Sequence, residues 1–242
     1  MVFAGGLMRL LFIASDPMEY TGILARSVNP RPARVANVAV DWARSARIGS
    51  HDVRLVANGA GPARASTAVV EMALADFRPD AVVSTGFCGA LDAGLGIADV
   101  VVGTSVVGAA QYPLRSLASG AAHRTGAICS VGHVAQTAVE KARLLHVSGA
   151  IAVEMEAAGV AASAQTFGLP VYCVRAVTDL AGEDMANDFS RALRPDGHFD
   201  TMLILRGAVR HPWVRLPELI RLRQRCVRAA RVLGDFIADC RF

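Results

Sequence analysis

Ala150-Ile151-Ala152-Val153-Glu154-Met155-Glu156-Ala157-Ala158-Gly159 opens a stretch that closes on Val171-Tyr172-Cys173-Val174-Arg175-Ala176-Val177-Thr178-Asp179. Ile151 to Val153 are apolar and partly β-branched, which predicts a short strand. Residues 156–167 are alanine-rich and free of proline, which predicts a helix. Gly168 suits its stop, and Pro170 blocks continuation. Residues 171–177 are again apolar and β-rich and predict a second strand. Strand, helix, strand at this spacing predicts a parallel pair with a crossover. Ligands of open α/β sheets meet the carboxyl ends of strands. Glu154 and Glu156 follow the first strand, and Asp179 follows the second. Three acids gathered at one sheet edge are costly unless they have a task.

Val153-Glu154-Met155-Glu156-Ala157 followed by Val174-Arg175-Ala176-Val177-Thr178-Asp179 resembles the signature of the nucleoside phosphorylase/nucleosidase superfamily, and within it the methylthioadenosine/S-adenosylhomocysteine nucleosidase branch. Ser84-Thr85-Gly86-Phe87-Cys88-Gly89-Ala90-Leu91 and Gly96-Ile97-Ala98-Asp99-Val100-Val101 extend the likeness. It covers roughly residues 9–189, with the motifs in order. The resemblance implies an α/β fold: a three-layer αβα domain with a mixed central sheet. It also implies a homo-oligomer, a dimer for choice.

The chain has 242 residues, 53% of them apolar, enough for one large core. We divide it into a catalytic domain, 1–189, and a C-terminal helical basic extension, 190–242, packed on the same domain. No run of about 18 apolar residues is present, so no membrane span is expected. The five cysteines lack metal-like spacing, which predicts free thiols in a reducing cytoplasm and no metal site. The net charge of +4 belongs to the tail, where residues 190–242 hold 11 arginines against 5 acids. Lys141 is the only lysine, and the sequence attaches no function to it.

Residues 1–14 make a poor signal peptide, because Arg9 sits inside the apolar run; Met8 is an alternative start. Leu10 to Ala14 predicts a first strand, ending in Ser15-Asp16-Pro17-Met18-Glu19-Tyr20. Pro17 fits the first turn of a helix capped by Ser15 or Asp16. Residues 35–42 and 52–57 predict two more strands. Asn58-Gly59-Ala60-Gly61-Pro62 then turns into a helix reaching Phe77; its glycine spacing is not a dinucleotide fingerprint. Residues 80–84, 100–107 and 126–131 predict strands, and Ala135 to His146 a helix. Residues 85–89 are either a simple turn or a place where ligand approaches backbone. Residues 108–124 are shorter than the insertion that covers the sugar's 5′ substituent in the nucleosidases.

From Pro217 the tail predicts a long helix with Leu219, Leu222, Cys226, Ala230, Leu233, Ile237 and Cys240 in one apolar stripe. Arg221, Arg225 and Arg228 lie opposite. Packing on the body with a solvated basic face outweighs contact with an anionic membrane surface. The tail also resembles that of hopanoid-associated nucleoside phosphorylases, which act on a nucleoside attached to a polycyclic lipid.

The resemblance implies cleavage of a purine N-glycosidic bond without a cofactor. The departing base needs a proton at N7, and Asp179 is the candidate acid; holding that proton at neutral pH calls for burial or neighbouring carboxylates. Glu156 is the candidate acceptor for both ribose hydroxyls, with Met155 packed under the sugar. Phe87, Cys88 and Gly89 are candidate binding residues, and Val134 and Ala135 stand where the family stacks an aromatic on the base. Glu19 stands where related phosphorylases place a phosphate-binding arginine. A carboxylate repels phosphate and can deprotonate water, which favours hydrolysis. The plainer reading of Glu19 is an exposed first-turn acid.

The expected function is therefore hydrolysis of an adenine-type nucleoside such as methylthioadenosine or S-adenosylhomocysteine. Phosphorolysis, with Arg64 as the best remaining phosphate cation, is the alternative and would favour a hopanoid-linked adenosine. A non-catalytic nucleoside-binding protein is a third reading. A nucleic-acid partner is not expected, because the basic tail lacks interleaved aromatics.

Overall fold

A computed structural model describes residues 6–33 and 40–242. The chain order is β1 (Arg9–Ala14), a 3₁₀ turn (Pro17–Tyr20), α1 (Thr21–Arg26), β2 (Val28–Pro32), β3 (Trp42–Ile48), β4 (His51–Ala57), α2 (Pro62–Leu74) and β5 (Ala81–Ala90). It continues with β6 (Val100–Val107), β7 (Gln111–Pro113), β8 (Arg124–Ser130), α3 (Ala138–Ser148), β9 (Ala152–Glu154), α4 (Ala157–Thr166) and β10 (Val171–Asp179). The tail holds α5 (Phe189–Ala192), α6 (Thr201–Arg210) and α7 (Pro212–Asp239).

The strand order is β10-β6-β8-β9-β5-β1-β4-β3-β2, with β7 beside β6. The sheet is mixed: β1 is parallel to β4 and β5, whereas β3 runs antiparallel to β4. A further pairing of β10 with β5 closes β5, β10, β6, β8 and β9 into a ring. Side-chain alternation along β1 builds the three layers. Leu10, Phe12 and Ala14 face one core with Ile23 of α1 and Leu233, Phe236 and Ile237 of α7. Leu11 and Ile13 face the other, with Ala68, Val69 and Met72 of α2 and Val160 and Ala164 of α4.

The opening stretch does form strand, helix, strand, but not a parallel pair. β9 runs antiparallel to β5 and β10 runs parallel to it, so β9 and β10 oppose each other. Their carboxyl ends still meet, because they reach Gly89 of β5 from different partners: Gly89 pairs with Val153 on β9 and with Asp179 on β10. Local periodicity carries no information about which strand lies between two others, so the sequence could not choose.

Residues 85–89 are not a turn; they continue β5 to Ala90. The strand expected over 35–42 lies largely on residues outside those described, and the strand that pairs with β4 is Trp42–Ile48. The helix expected from Ala135 begins at Ala138, because Thr137 is extended and its side chain accepts from the Glu140 amide. The tail helix starts at Pro212 and carries Pro217 inside it. Its predicted stripe is buried at Cys226, Ala230, Leu233 and Ile237.

Candidate active site

Asp16 ends β1's connection in extended conformation and caps the 3₁₀ turn, accepting from the Met18 amide. The turn's third residue, Glu19, reaches back, and its Oε2 accepts from the Asp16 amide at 3.0 Å. This capping box is what buries Glu19. Oε2 also accepts from the Ser15 amide at 2.8 Å and the Ser15 hydroxyl at 2.9 Å, and Oε1 from the Phe87 amide at 2.7 Å. The exposed first-turn acid is thus excluded: Glu19 is 3% exposed. Burial pushes its pKa up, against the pull of Arg175 and of its backbone and hydroxyl donors.

Glu156 precedes α4 and is buried. Its Oε1 accepts from the Gly61 amide at 3.1 Å, and its Oε2 lies 3.4 Å from Arg175 Nη1. Loss of water, then the charge of Glu154, pushes its pKa up to about 8. Glu154 itself is structural in its contacts: it caps α4 through the Glu156 and Ala157 amides and pairs with Arg175. Arg175 is fully buried and also donates to Thr85 O and Ser84 Oγ. It holds the charge of three acids inside the fold, since Glu154, Glu156 and Glu19 all favour its cationic form.

Asp179 ends β10 at a buried position. Carboxylates and an apolar wall were the expected neighbours. The contact found is a cation: Lys141 Nζ of α3 lies 2.5 Å from Asp179 Oδ2 and 2.7 Å from Leu180 O. Lys141 is 0% exposed. The lone lysine therefore has a position at the site, which the sequence analysis did not assign. The Thr178 hydroxyl donates to Asp179 Oδ1 at 3.1 Å.

The two glycines of the β5 segment make room for the acids. A Cβ on Gly86 would stand 2.3 Å from Glu19 Oε1, and one on Gly89 would stand 2.7 Å from Asp179 Oδ2. Gly86 also holds φ at +131°, which other residues rarely adopt.

These groups line one cavity of about 370 Å³. It takes in every candidate named from sequence: Glu19, Phe87, Cys88, Gly89, Val134, Ala135, Met155, Glu156 and Asp179. Cys88 is a buried hydrophobe whose thiol pKa burial pushes well up, so it is not a thiolate nucleophile. Among the described residues, the cavity lining contains five acids and no arginine or lysine side chain. Arg64 is engaged elsewhere, pairing with Asp41 and donating to Asn58 O at 2.6 Å.

A family model described as the phosphorylase superfamily matches residues 43–120 and 109–196. The chain belongs to the phosphorylase superfamily. A 5′-methylthioadenosine/S-adenosylhomocysteine nucleosidase of Glaesserella parasuis is 27% identical over 219 residues, covering 77% of this chain and 92% of that protein. The corresponding nucleosidase of S. pneumoniae, solved with a transition-state inhibitor, superposes with a TM-score of 0.72 at 19% identity over 96% of this chain and 97% of that one. The futalosine hydrolase of Helicobacter pylori superposes with a TM-score of 0.69 at 16% identity, covering 96% of each chain. At these identities the superpositions establish the fold.

In this superfamily member the tail also reaches the cavity. Phe189 of α5, Phe199, Ile204 of α6, and Leu222 and Cys226 of α7 line it together with Met185. The sequence places 190–242 in a C-terminal extension and Leu222 and Cys226 in its packed stripe, with no part in the site. The loop after Asp179 fastens the two parts. Glu218 of α7 accepts from the Ala186 and Asn187 amides, and Arg225 forms a two-pronged pair with Glu183. On the other side Gln136 Oε1 accepts from the Phe189 amide at 2.5 Å. The sequence signal for this was weak: Glu218 and Gln136 look like ordinary surface residues.

Proposed function

We propose that the protein is a nucleosidase that hydrolyses the N-glycosidic bond of an adenine nucleoside carrying a 5′-thioether substituent, such as methylthioadenosine or S-adenosylhomocysteine. The observation that carries this reading is the acid-lined cavity without an arginine or lysine in its lining. A phosphate dianion entering it would meet like charge without a partner, whereas water meets a base. Glu19 would take a proton from water as the water oxygen bonds to the sugar's anomeric carbon. The carbon–nitrogen bond breaks with its electron pair going to the base. Asp179 would hand the base a proton as Lys141 Nζ passes its own to the carboxylate, and the proton taken up by Glu19 would return through solvent to restore the pair. Glu156 would accept hydrogen bonds from the ribose hydroxyls, which a carboxyl group does with or without its proton. Met155, Phe87, Val134 and Ala135 would pack against sugar and base.

The substrate class draws on the named activity of the relatives and on the apolar wall of Met185, Phe189, Phe199, Ile204 and Leu222. The reading includes a homodimer in the cytoplasm. It rests there on family resemblance and on five unpaired cysteines. A monomer by light scattering would remove the dimer from it.

The deciding experiment incubates the protein with a panel of adenine nucleosides, with and without phosphate, and identifies both products. The expected products are adenine and the free 5′-substituted ribose at a rate indifferent to phosphate. A sugar 1-phosphate formed only with phosphate present would transfer the protein to the phosphorylases.

A further inference from the structure

The tail has a second apolar stripe that the packed one does not account for. On α6, Met202, Leu205 and Val209 recur at helical spacing and are exposed, with Val209 70% exposed. On α7, Trp213, Leu216 and Ile220 do the same, and Trp213 is 91% exposed. The core-facing side of α7 is occupied by Cys226, Ala229, Ala230, Leu233 and Ile237, so these outward residues are surplus to the fold. Large apolar side chains clustered on a surface and rimmed by charge mark an interaction site.

The rim is of one sign. Arg206, Arg210, Arg221, Arg223 and Arg228 are exposed, and none of them has an acidic partner among the described residues. The only acid between Thr201 and Gly234 is Glu218, which is committed to the loop amides of Ala186 and Asn187.

We infer that the α6–α7 face docks on an anionic lipid surface. A helix pair presenting tryptophan and aliphatics between arginines can bury the former at the acyl boundary and pair the latter with lipid phosphates. A second copy of the chain fits worse. A two-fold contact would set this arginine-rich face against itself. The inner sides of the same two helices carry Ile204, Leu222 and Cys226 into the cavity, so docking sets the cavity's outer wall beside the membrane.

The test uses the full chain, vesicles of phosphatidylcholine with or without phosphatidylglycerol, and Trp213 fluorescence. Expected are sedimentation with the anionic vesicles only, a blue shift of emission on binding that is absent from Trp213→Phe, and release by salt. Reversing Arg206, Arg210 and Arg223 to Glu should abolish binding. Neutralising each one singly to Gln should weaken it about fivefold. None of these residues lines the cavity, so turnover of a soluble nucleoside should be unchanged in every variant. The inference is overturned by wild-type protein that ignores anionic vesicles, by equal binding to neutral ones, or by a Trp213 shift that follows protein concentration without lipid. Binding of an unrelated duplex DNA at the same salt, with no response to vesicles, would also overturn it.

Discussion

Gly86→Ala is the sharpest probe of the site, because its effect passes through a carboxylate it does not itself carry. The added Cβ would lie 2.3 Å from Glu19 Oε1 and 2.7 Å from its Cδ. Glu19 cannot swing aside freely, since Ser15 and Asp16 hold its other oxygen. The bond that gives way is the one from the Phe87 amide at 2.7 Å. A hydrogen bond to a charged group contributes about 1.5–3 kcal/mol, and an L side chain at this φ costs about 1–3 kcal/mol more. Unfolding stability should therefore fall by about 2.5–6 kcal/mol. Displacing a general base should lower kcat by about 10²-fold or more. Gly49→Ala is the control, with φ at +56° and nothing within 4 Å of its Cβ. It should show backbone strain alone and normal kcat. Chemical denaturation and steady-state kinetics on both variants decide the matter. Adding Glu19→Asp to Gly86→Ala should recover part of the stability, because the shorter side chain withdraws from the new methyl group. A Gly86→Ala protein with wild-type kcat would refute the assignment of Glu19 as base.

Asp179→Asn should lower kcat by about 10²–10⁴-fold. It should also destabilise the fold, because Lys141 is left buried without its carboxylate, a loss of about 3–5 kcal/mol by denaturation. Lys141→Met should cost a similar amount, and the double variant should cost less than the two singles combined; additivity would dissolve the pair. For Glu156 the sign follows from its raised pKa. Between pH 4.5 and about 8 the unfolded chain releases the proton that the native state keeps. Its contribution to stability is therefore fully present below pH 4.5 and declines as pH rises to about 8. The melting temperature of the wild type relative to Glu156→Gln should fall across that window; a gap independent of pH would contradict the shift. Arg64→Ala should leave kcat and KM for nucleoside near normal, and phosphate dependence lost with that arginine would overturn the hydrolytic mechanism.

Most elements were legible because their signals are local. Val100 to Val107 holds five valines and a threonine, a β-branched run, and the strand has those bounds. The tail's packed stripe follows helical spacing and is buried where expected. Strand direction was not legible. β9 is three residues long, and its orientation is set by pairing with β8 and β5, which come from distant sequence. The exposed stripe was missed for another reason: Trp213, Leu216 and Ile220 lie near Pro217, which set the expected helix start too late.

Within the site, the acids were legible and their supports were not. Glu19, Glu156 and Asp179 stand at the ends of short motifs, where the chain has just left or is about to enter regular structure. Each is held by a group far away in sequence. Glu19 needs the Phe87 amide, Glu156 the Gly61 amide, and Asp179 the Lys141 ammonium. Composition pointed away from Lys141, since a lone lysine in an arginine-rich chain looks like an accident of usage. Burial reverses that reading. A fully buried ammonium is costly unless a carboxylate meets it, and the carboxylate it meets is the proposed acid. Gly86 and Gly89 follow the same logic in reverse. They were read as a place for ligand to approach the backbone, and what approaches is the protein's own carboxylates. The absent side chains on β5 let Glu19 and Asp179 enter from the 3₁₀ turn and from β10 and face one cavity. Spacing along the chain encodes the two glycines; only the closed ring of strands reveals what they make room for.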